Sequence, residues 1–331
     1  RTQKGKKGKK EILRFKIELE PNLIDIQDSL INGEYQTGPY RHFPIFEPKR
    51  RIVSALPIKD RVVQQSIYKV IEPIFEARFI EQSYACRPNK GAHKGADKVQ
   101  SYMRKVKRQH GHVYALKADI AKYFPSISHD VLRRLLRRRI ACRKTLQLLD
   151  EIISSTDDGK SVMPRGIPIG NLTSQLFANI YLHELDMFVK HDLREPFYVR
   201  YMDDMAIIVK TREKAKKIKR VISQFVIDEL NLKMNKRKTK IFPLAQGLNM
   251  VGYKIWPTHK LLRRSTKKRI KQKLKKFPDL MENNELSIEK VEQILNSWKG
   301  HADYACSENF YKYLEERFNF VERENRKFIV K

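Results

Sequence analysis

Phe197-Tyr198-Val199-Arg200-Tyr201-Met202-Asp203-Asp204-Met205-Ala206-Ile207-Ile208-Val209 is the stretch whose reading decides the fold. Its flanks, Phe197 to Tyr201 and Ala206 to Val209, are rich in β-branched and aromatic residues and predict two β-strands. The break between them has room only for a tight turn, so both Asp residues fall at a hairpin tip. Folding alone gives no reason to place two like charges there, because they repel and each raises the pKa of the other. An isolated Asp-Asp pair in a turn is ordinarily solvated turn chemistry. Two carboxylates held by a rigid hairpin also suit a hard divalent cation that takes oxygen ligands and contacts phosphates.

A third carboxylate favours the metal. His112-Val113-Tyr114-Ala115-Leu116-Lys117-Ala118-Asp119-Ile120 is another strand-like run, with Asp119 near its end. Phe124-Pro125 breaks the run. Asp130 to Ile140 then predicts a helix with Val131, Leu135, Leu136 and Ile140 along one face. One Asp at a strand end and two on a hairpin are the parts of a two-metal phosphoryl-transfer site.

The chain has 331 residues, enough for two or three packed subdomains, and its 41% hydrophobic content supplies real cores. Lys and Arg number 69 against 38 Asp and Glu, a net charge of +31. Such an excess points to a polyanionic partner, since each neutralised phosphate releases condensed counterions. Cys86, Cys142 and Cys306 lie far apart with no Cys-x-x-Cys, which argues against a zinc ribbon or a disulfide framework and suits a reducing cytoplasm. No apolar run is long enough to span a membrane, and neither a leader nor an internal repeat is expected.

Residues 1–10 read as a disordered basic arm. Helices are predicted over 64–79 (Ile67, Val70, Ile71, Ile74 and Phe75 at helical spacing), 95–107, 262–277, 289–295 and 310–324. In 262–277, Ile270, Leu274 and Phe277 oppose Lys267, Lys268, Lys271 and Lys275. The arginines of 133–139 flank an apolar stripe and serve either as a solvated face or as a surface that tracks a phosphate backbone.

Taken together, these segments resemble a reverse transcriptase, from about Phe46 to about Ile255. Tyr201-Met202-Asp203-Asp204 is similar to the family's catalytic hairpin and Ala118-Asp119-Ile120-Ala121-Lys122-Tyr123-Phe124 to its first palm motif. Pro168-Ile169-Gly170-Asn171-Leu172-Thr173-Ser174-Gln175 resembles the next motif. Leu230-Asn231-Leu232 through Asn235-Lys236-Arg237-Lys238-Thr239 resembles the one after the hairpin, and Gly247-Leu248-Asn249-Met250-Val251-Gly252-Tyr253 the segment that grips the primer. All five occur in the family's order. The resemblance implies an α+β fold, a right-hand polymerase with fingers (11–112), a ferredoxin-like palm (113–255) and a helical thumb (256–331).

It also implies roles. Asp119, Asp203 and Asp204, with the backbone carbonyl of Ile120, would hold two Mg2+ ions, with Mn2+ as a substitute. One metal lowers the pKa of the primer 3′-hydroxyl and the other balances charge on the leaving pyrophosphate. Lys238 matches the lysine that protonates pyrophosphate, a task served by burial or by a neighbouring cation cluster. Phe124 falls where the family places a bulky aromatic beneath the incoming sugar, which selects deoxyribonucleotides. A core aromatic paired with Tyr123 is the plainer alternative. Lys49 and Arg51 belong to the fingers segment that covers the triphosphate. Arg87, Gly252, Lys267 and Lys271 are expected to contact nucleic acid.

The middle motif departs from the common pattern. Many reverse transcriptases carry Gln-Gly there and close the motif with Ser-Pro; this chain has Ile169-Gly170 and Ser174-Gln175. Replacing an orienting Gln with an apolar Ile removes about 1 kcal/mol of hydrogen-bonded geometric checking. Gly170 is expected to let the backbone approach the nucleotide. Ile-Gly-x-x-x-Ser-Gln resembles the variant of diversity-generating retroelements, whose enzymes copy a template RNA into cDNA while misincorporating opposite adenine. That resemblance implies dNTPs, a template RNA, a nucleic-acid primer and a small, basic, oligomeric accessory protein as partners. Retron, abortive-infection and group II intron-type reverse transcriptases are the alternatives, followed by an inactive RNA-binding scaffold.

Overall fold

A computed structural model of the chain describes residues 10–46, 50–155, 163–318, 320–323 and 327–330. Along the chain run α1 (Lys10–Ile17) and α2 (Leu19–Asn32), then the antiparallel pair β1 (Arg41–Ile45) and β2 (Arg51–Ala55) and α3 (Ile58–Glu76). Next come α4 (Ala92–His110), β3 (Tyr114–Asp119), the short α5 (Tyr123–Ser126), α6 (His129–Arg137), α7 (Arg143–Ser154) and α8 (Leu172–Met187). Then follow β4 (Tyr198–Tyr201), β5 (Asp204–Val209), α9 (Arg212–Asp228), β6 (Lys240–Pro243), β7 (Leu248–Met250), β8 (Tyr253–Ile255) and β9 (Lys260–Leu262). The helices α10 (Arg264–Glu282), α11 (Ile288–Ala302) and α12 (Glu308–Phe318) follow, and the antiparallel pair β10 (Phe320–Arg323) and β11 (Lys327–Val330) comes last.

Four strands form one sheet in the order β4-β5-β3-β6. The order puts β3 beside β5, so the strand that ends at Asp119 neighbours the strand that begins at Asp204. A separate three-stranded antiparallel sheet, β7-β8-β9, pairs Met250 with Tyr253 and Tyr253 with Leu262.

The chain divides into two compact units that interleave in sequence. One comprises Arg1–Lys90, Ala118–Met205 and Lys216–Lys240; the other comprises Gly91–Lys117, Ala206–Ala215 and Ile241–Lys331. In the first unit α8 packs against α3 and α6, and Leu176, Phe177, Ile180, Tyr181, Leu182 and Leu185 are all buried. A helix buried over most of its surface belongs inside a core. A smaller cluster of Ile12, Phe15, Ile26, Tyr35, Ile58 and Val63 ties α1 and α2 to α3. In the second unit Ala96, Val99, Met103 and Val106 line the inner face of α4, while α10 buries Ile270, Leu274 and Phe277.

Several boundaries differ from expectation. α3 begins at Ile58, behind Pro57, and buries Ile58 and one apolar stripe (Val63, Ile67, Ile71, Phe75), while Val70 is 61% exposed. The last predicted helix stops at Phe318, not residue 324. Residues 1–9 of the basic arm lie outside the described residues, and Lys10 already opens α1. No helix among the described residues is long and apolar enough to cross a membrane. The three cysteines are free and exposed.

Candidate active site

The Asp pair sits where β4 turns into β5. Met202, first residue of the turn, takes φ +56°, a left-handed conformation that L side chains avoid and that two-residue hairpins use. Asp203 follows in the turn and Asp204 opens β5. Asp119 ends β3 and is clamped by the segment before β6. Asn235 N donates to the Asp119 carbonyl at 2.8 Å, and Ala121 N to the Lys233 carbonyl at 2.8 Å. These two bonds frame an isolated antiparallel bridge between Ile120 and Met234, and neither uses the Ile120 carbonyl.

The same segment delivers Lys238. Its backbone N donates to the Asn235 carbonyl at 3.1 Å and that of Thr239 at 2.9 Å, a tight turn that the spacing Asn235-x-x-Lys238-Thr239 makes possible. Lys238 Nζ ends 2.6 Å from Asp119 Oδ2. Burial therefore does not prepare the lysine for proton transfer: its side chain is 45% exposed and its ion-pair partner is a carboxylate.

Asp119 is only 5% exposed, and its Oδ1 has no hydrogen-bond partner. Burial raises the Asp203 pKa above its ordinary value, and the negative charge of Asp119 raises it further. Lys238 and Arg51 pull the other way. Two mutually repelling, partly buried carboxylates with an unpartnered oxygen between elements suit a hard divalent cation. Among the described residues no three acidic, His or Cys side chains gather at one point.

Arg51, at the start of β2, is close enough to Asp203 to act on it electrostatically. Ser54 N, on the same strand, donates to the Ile169 carbonyl at 2.9 Å, which holds the Ile169-Gly170 turn against β2. Gly170 has φ +124°, and a Cβ there would meet Val53 Cγ1 at 2.9 Å and the Ser54 carbonyl oxygen at 3.1 Å. One close approach that requires glycine here is to β2. Gln175 is half-buried on the first turn of α8. Tyr123 is the core aromatic of its pair, 3% exposed, with its hydroxyl on the Ala178 carbonyl. Phe124, edge-on to it at 5.8 Å, stays half-buried. Lys49 lies outside the described residues.

Arg87 requires a correction. Its Nε and Nη2 bond Glu76, its Nη1 bonds the Ile80 and Ser83 carbonyls, and its side chain is 5% exposed. A guanidinium so used braces the end of α3 and does not contact template phosphates. Lys267 and Lys271 are half-buried, with ammoniums over the ring of Phe310 (5.0 and 5.4 Å), and that of Lys271 lies 3.7 Å from Tyr313. Cation–π contact ties α10 to α12 there, while Lys268 and Lys275 keep the exposed face. Gly252 has φ +95°, and a Cβ would come within 2.9 Å of His301 Cε1 and Nε2, so a thumb-side histidine backs this turn.

Sequence reasoning missed the buried group behind the hairpin. Arg200 and Asp186 are both 0% exposed and paired at 2.6 Å. The available signal was a lone Arg inside the apolar strand Tyr198-Val199-Arg200-Tyr201. Thr239 was also passed over as a contact; the Asp119 amide reaches its Oγ1 at 3.4 Å.

Comparison with known proteins agrees with this geometry. The family model described as reverse transcriptase (RNA-dependent DNA polymerase) matches residues 46–255. The chain is 26% identical to protein YkfC of Escherichia coli K12, over 74% of each chain. It is 25% identical to the group II intron-encoded protein LtrA of Lactococcus lactis, over 71% of this chain but only 50% of LtrA. Among solved structures, telomerases of Candida tropicalis share the fold, with TM-scores of 0.55 (11% identity, 89% of this chain and 58% of that one) and 0.54 (13% identity, 70% and 55%). The mixed helix-and-sheet architecture is accordingly that of a right-hand polymerase. With the motifs in order and the family model covering most of its length, this chain belongs to the reverse transcriptase family of RNA-directed DNA polymerases.

Proposed function

We propose that this chain copies a template RNA into cDNA with relaxed fidelity, erring opposite adenine, as the polymerase of a diversity-generating retroelement. The observation that carries the reading is the Ile169-Gly170 turn. It is bonded to β2 at Ser54, on the strand that carries Arg51, and offers an apolar branched side chain where a hydrogen-bonding Gln is common in the family. A base pair of poor geometry then meets no misplaced hydrogen bond, which relaxes discrimination several-fold.

Asp119 and Asp203, with the Ile120 carbonyl, would hold Mg2+ (two ions, Mn2+ substituting), with Asp204 supporting the hairpin side. When bound, such ions supply acidification of the primer 3′-hydroxyl and charge balance on pyrophosphate. Arg51 takes the triphosphate, and Phe124 excludes a 2′-hydroxyl. Lys238 leaves the Asp119 carboxylate and gives its proton to the departing pyrophosphate. The turn at Gly252 grips the primer. Template RNA, primer, dNTPs and a small basic oligomeric accessory protein are the partners, in the cytoplasm.

The test is Mg2+-dependent primer extension on an adenine-containing RNA template, with product sequencing, beside Asp203→Ala. Extension that vanishes in the variant, with errors concentrated opposite adenine, supports the reading. Rare or evenly spread errors would favour a group II intron-type enzyme, which the likeness to LtrA supports. No extension, even with accessory protein and native RNA added, would favour the scaffold.

A further inference from the structure

Arg200 and Asp186 are wholly buried, and neither has a part in the chemistry described above. Removing a guanidinium and a carboxylate from water costs several kcal/mol each, and apolar residues of like volume often hold a fold as well or better. The pair therefore needs a reason beyond stability. Arg200 Nε donates to Asp186 Oδ1 at 2.7 Å and Nη2 to Oδ2 at 2.6 Å, and the Tyr198 hydroxyl donates to Oδ1 at 2.7 Å. The third nitrogen points away from the carboxylate. Nη1 donates to Asn179 Oδ1 at 3.0 Å and to the Met202 carbonyl at 3.2 Å.

Arg200 is itself fixed at both ends of its backbone. Its N donates to the Gln82 carbonyl and its carbonyl accepts from Tyr84 N, both at 2.9 Å, while Asn179 Nδ2 donates to the Ala85 carbonyl at 2.8 Å. Burial acts to lower the guanidinium's pKa, but the charge and hydrogen bonds of Asp186 outweigh it and hold Arg200 above its ordinary value. The Met202 carbonyl and the Asp203 amide belong to one planar peptide. A donor on that carbonyl therefore sets the plane from which the Asp203 side chain leaves, at a turn whose first residue stands at φ +56°.

We propose that the buried Arg200–Asp186 pair is a positioning device: it anchors the Met202–Asp203 peptide to α8 and so aims the Asp203 carboxylate. The inference rests on the reading of Asp203 as a metal-holding catalytic residue. Arginine is required because its planar fork can hold a carboxylate with one edge and a carbonyl with the other; an ammonium cannot do both.

The experiment compares the full wild-type chain with Arg200→Lys and with the apolar triple variant Asp186→Leu/Tyr198→Phe/Arg200→Met. Thermal unfolding, amide exchange over residues 201–204, Mn2+ binding by electron paramagnetic resonance, and primer-extension kinetics are read on each. The triple variant is expected to fold, yet exchange at the turn should rise about tenfold or more. Mn2+ affinity should fall about 10- to 100-fold, and kcat about 100-fold with less change in KM for dNTP. Arg200→Lys keeps a buried charge pair and should show the same loosened turn. Either variant, folded and with wild-type turn exchange and Mn2+ affinity, would overturn the proposal. A wild-type chain that incorporates no nucleotide would remove the polymerase reading, and the exchange and Mn2+ comparisons would still decide the anchor.

Discussion

At Asp119 one carboxylate oxygen holds a lysine and the other has no hydrogen-bond partner, though the side chain is almost entirely buried. Asp203 beside it is raised in pKa, chiefly by burial and then by the charge of Asp119, so its neutral form is more favoured in the folded chain than in the unfolded one. A carboxylate raised on folding contributes stability that is present below the ordinary Asp value and is lost as pH rises through the raised one. Asp203→Asn should therefore unfold at a higher temperature than the wild type at neutral pH without metal, with the gap closing below about pH 4, while extension is abolished. The same shift predicts that metal binding weakens on acidification sooner than an unperturbed Asp would allow, which Mn2+ titration at a series of pH values checks. At Phe124, truncation to Ala should raise ribonucleotide incorporation about 10- to 100-fold relative to dNTP, read by competition on one template. At Ile169, Gln should restore about 1 kcal/mol of discrimination, seen as several-fold fewer errors opposite adenine.

Single elements carry more than one task. α8 is buried over most of its surface, supplies the half-buried Gln175 near its start, and places Asn179 and Asp186 behind the hairpin. The turn before β8 shows a similar economy. Val251 and Gly252 both have positive φ, and the His301 ring fills the space that a Gly252 side chain would need. The Tyr253 hydroxyl fixes that ring from Nδ1 at 2.8 Å and from the His301 carbonyl at 2.7 Å. Burial lowers the His301 pKa, with His93 and Arg269 adding to the effect, which keeps the ring neutral at pH 7. Gly252→Ala should destabilise by about 2–4 kcal/mol, from clash and left-handed strain together. Adding His301→Ala should recover the clash part only, so a denaturant double-mutant cycle will show coupling between the sites.

Over the whole molecule charge is abundant but uneven. Between Lys16 and Arg41 there is no Lys or Arg, while Glu18, Glu20, Asp25, Asp28 and Glu34 fall in that interval. Elsewhere the excess that gives +31 dominates, and primer–template affinity should depend on it steeply. If six or more phosphates are neutralised, binding should weaken about 1,000-fold or more between 50 and 200 mM salt, a slope that fluorescence anisotropy measures directly. A shallow slope would mean that base stacking and shape carry the complex instead.

The hairpin, the strand ending at Asp119 and the amphipathic faces of α6 and α10 were legible in the sequence because their signals are local: alternation, helical period and turn chemistry act over a few neighbours. The carboxylates of the site were legible for the same reason, since strand ends and hairpin tips place them. Local pattern says nothing about partners far along the chain. It could not tell that Lys238 would reach Asp119, that Arg87 would turn inward to Glu76, or that Lys267 and Lys271 would lie on the rings of α12. Nor could it tell that Gly170 yields to β2, or that a strand arginine would meet Asp186 in the core. α8 went unread because its apolar residues are spread round the helix and leave no clear amphipathic period. What the sequence by itself determined is which groups are available and on which elements they ride. Only the tertiary structure decided which are used against one another, because a buried charge takes whichever partner long-range packing brings within hydrogen-bond reach.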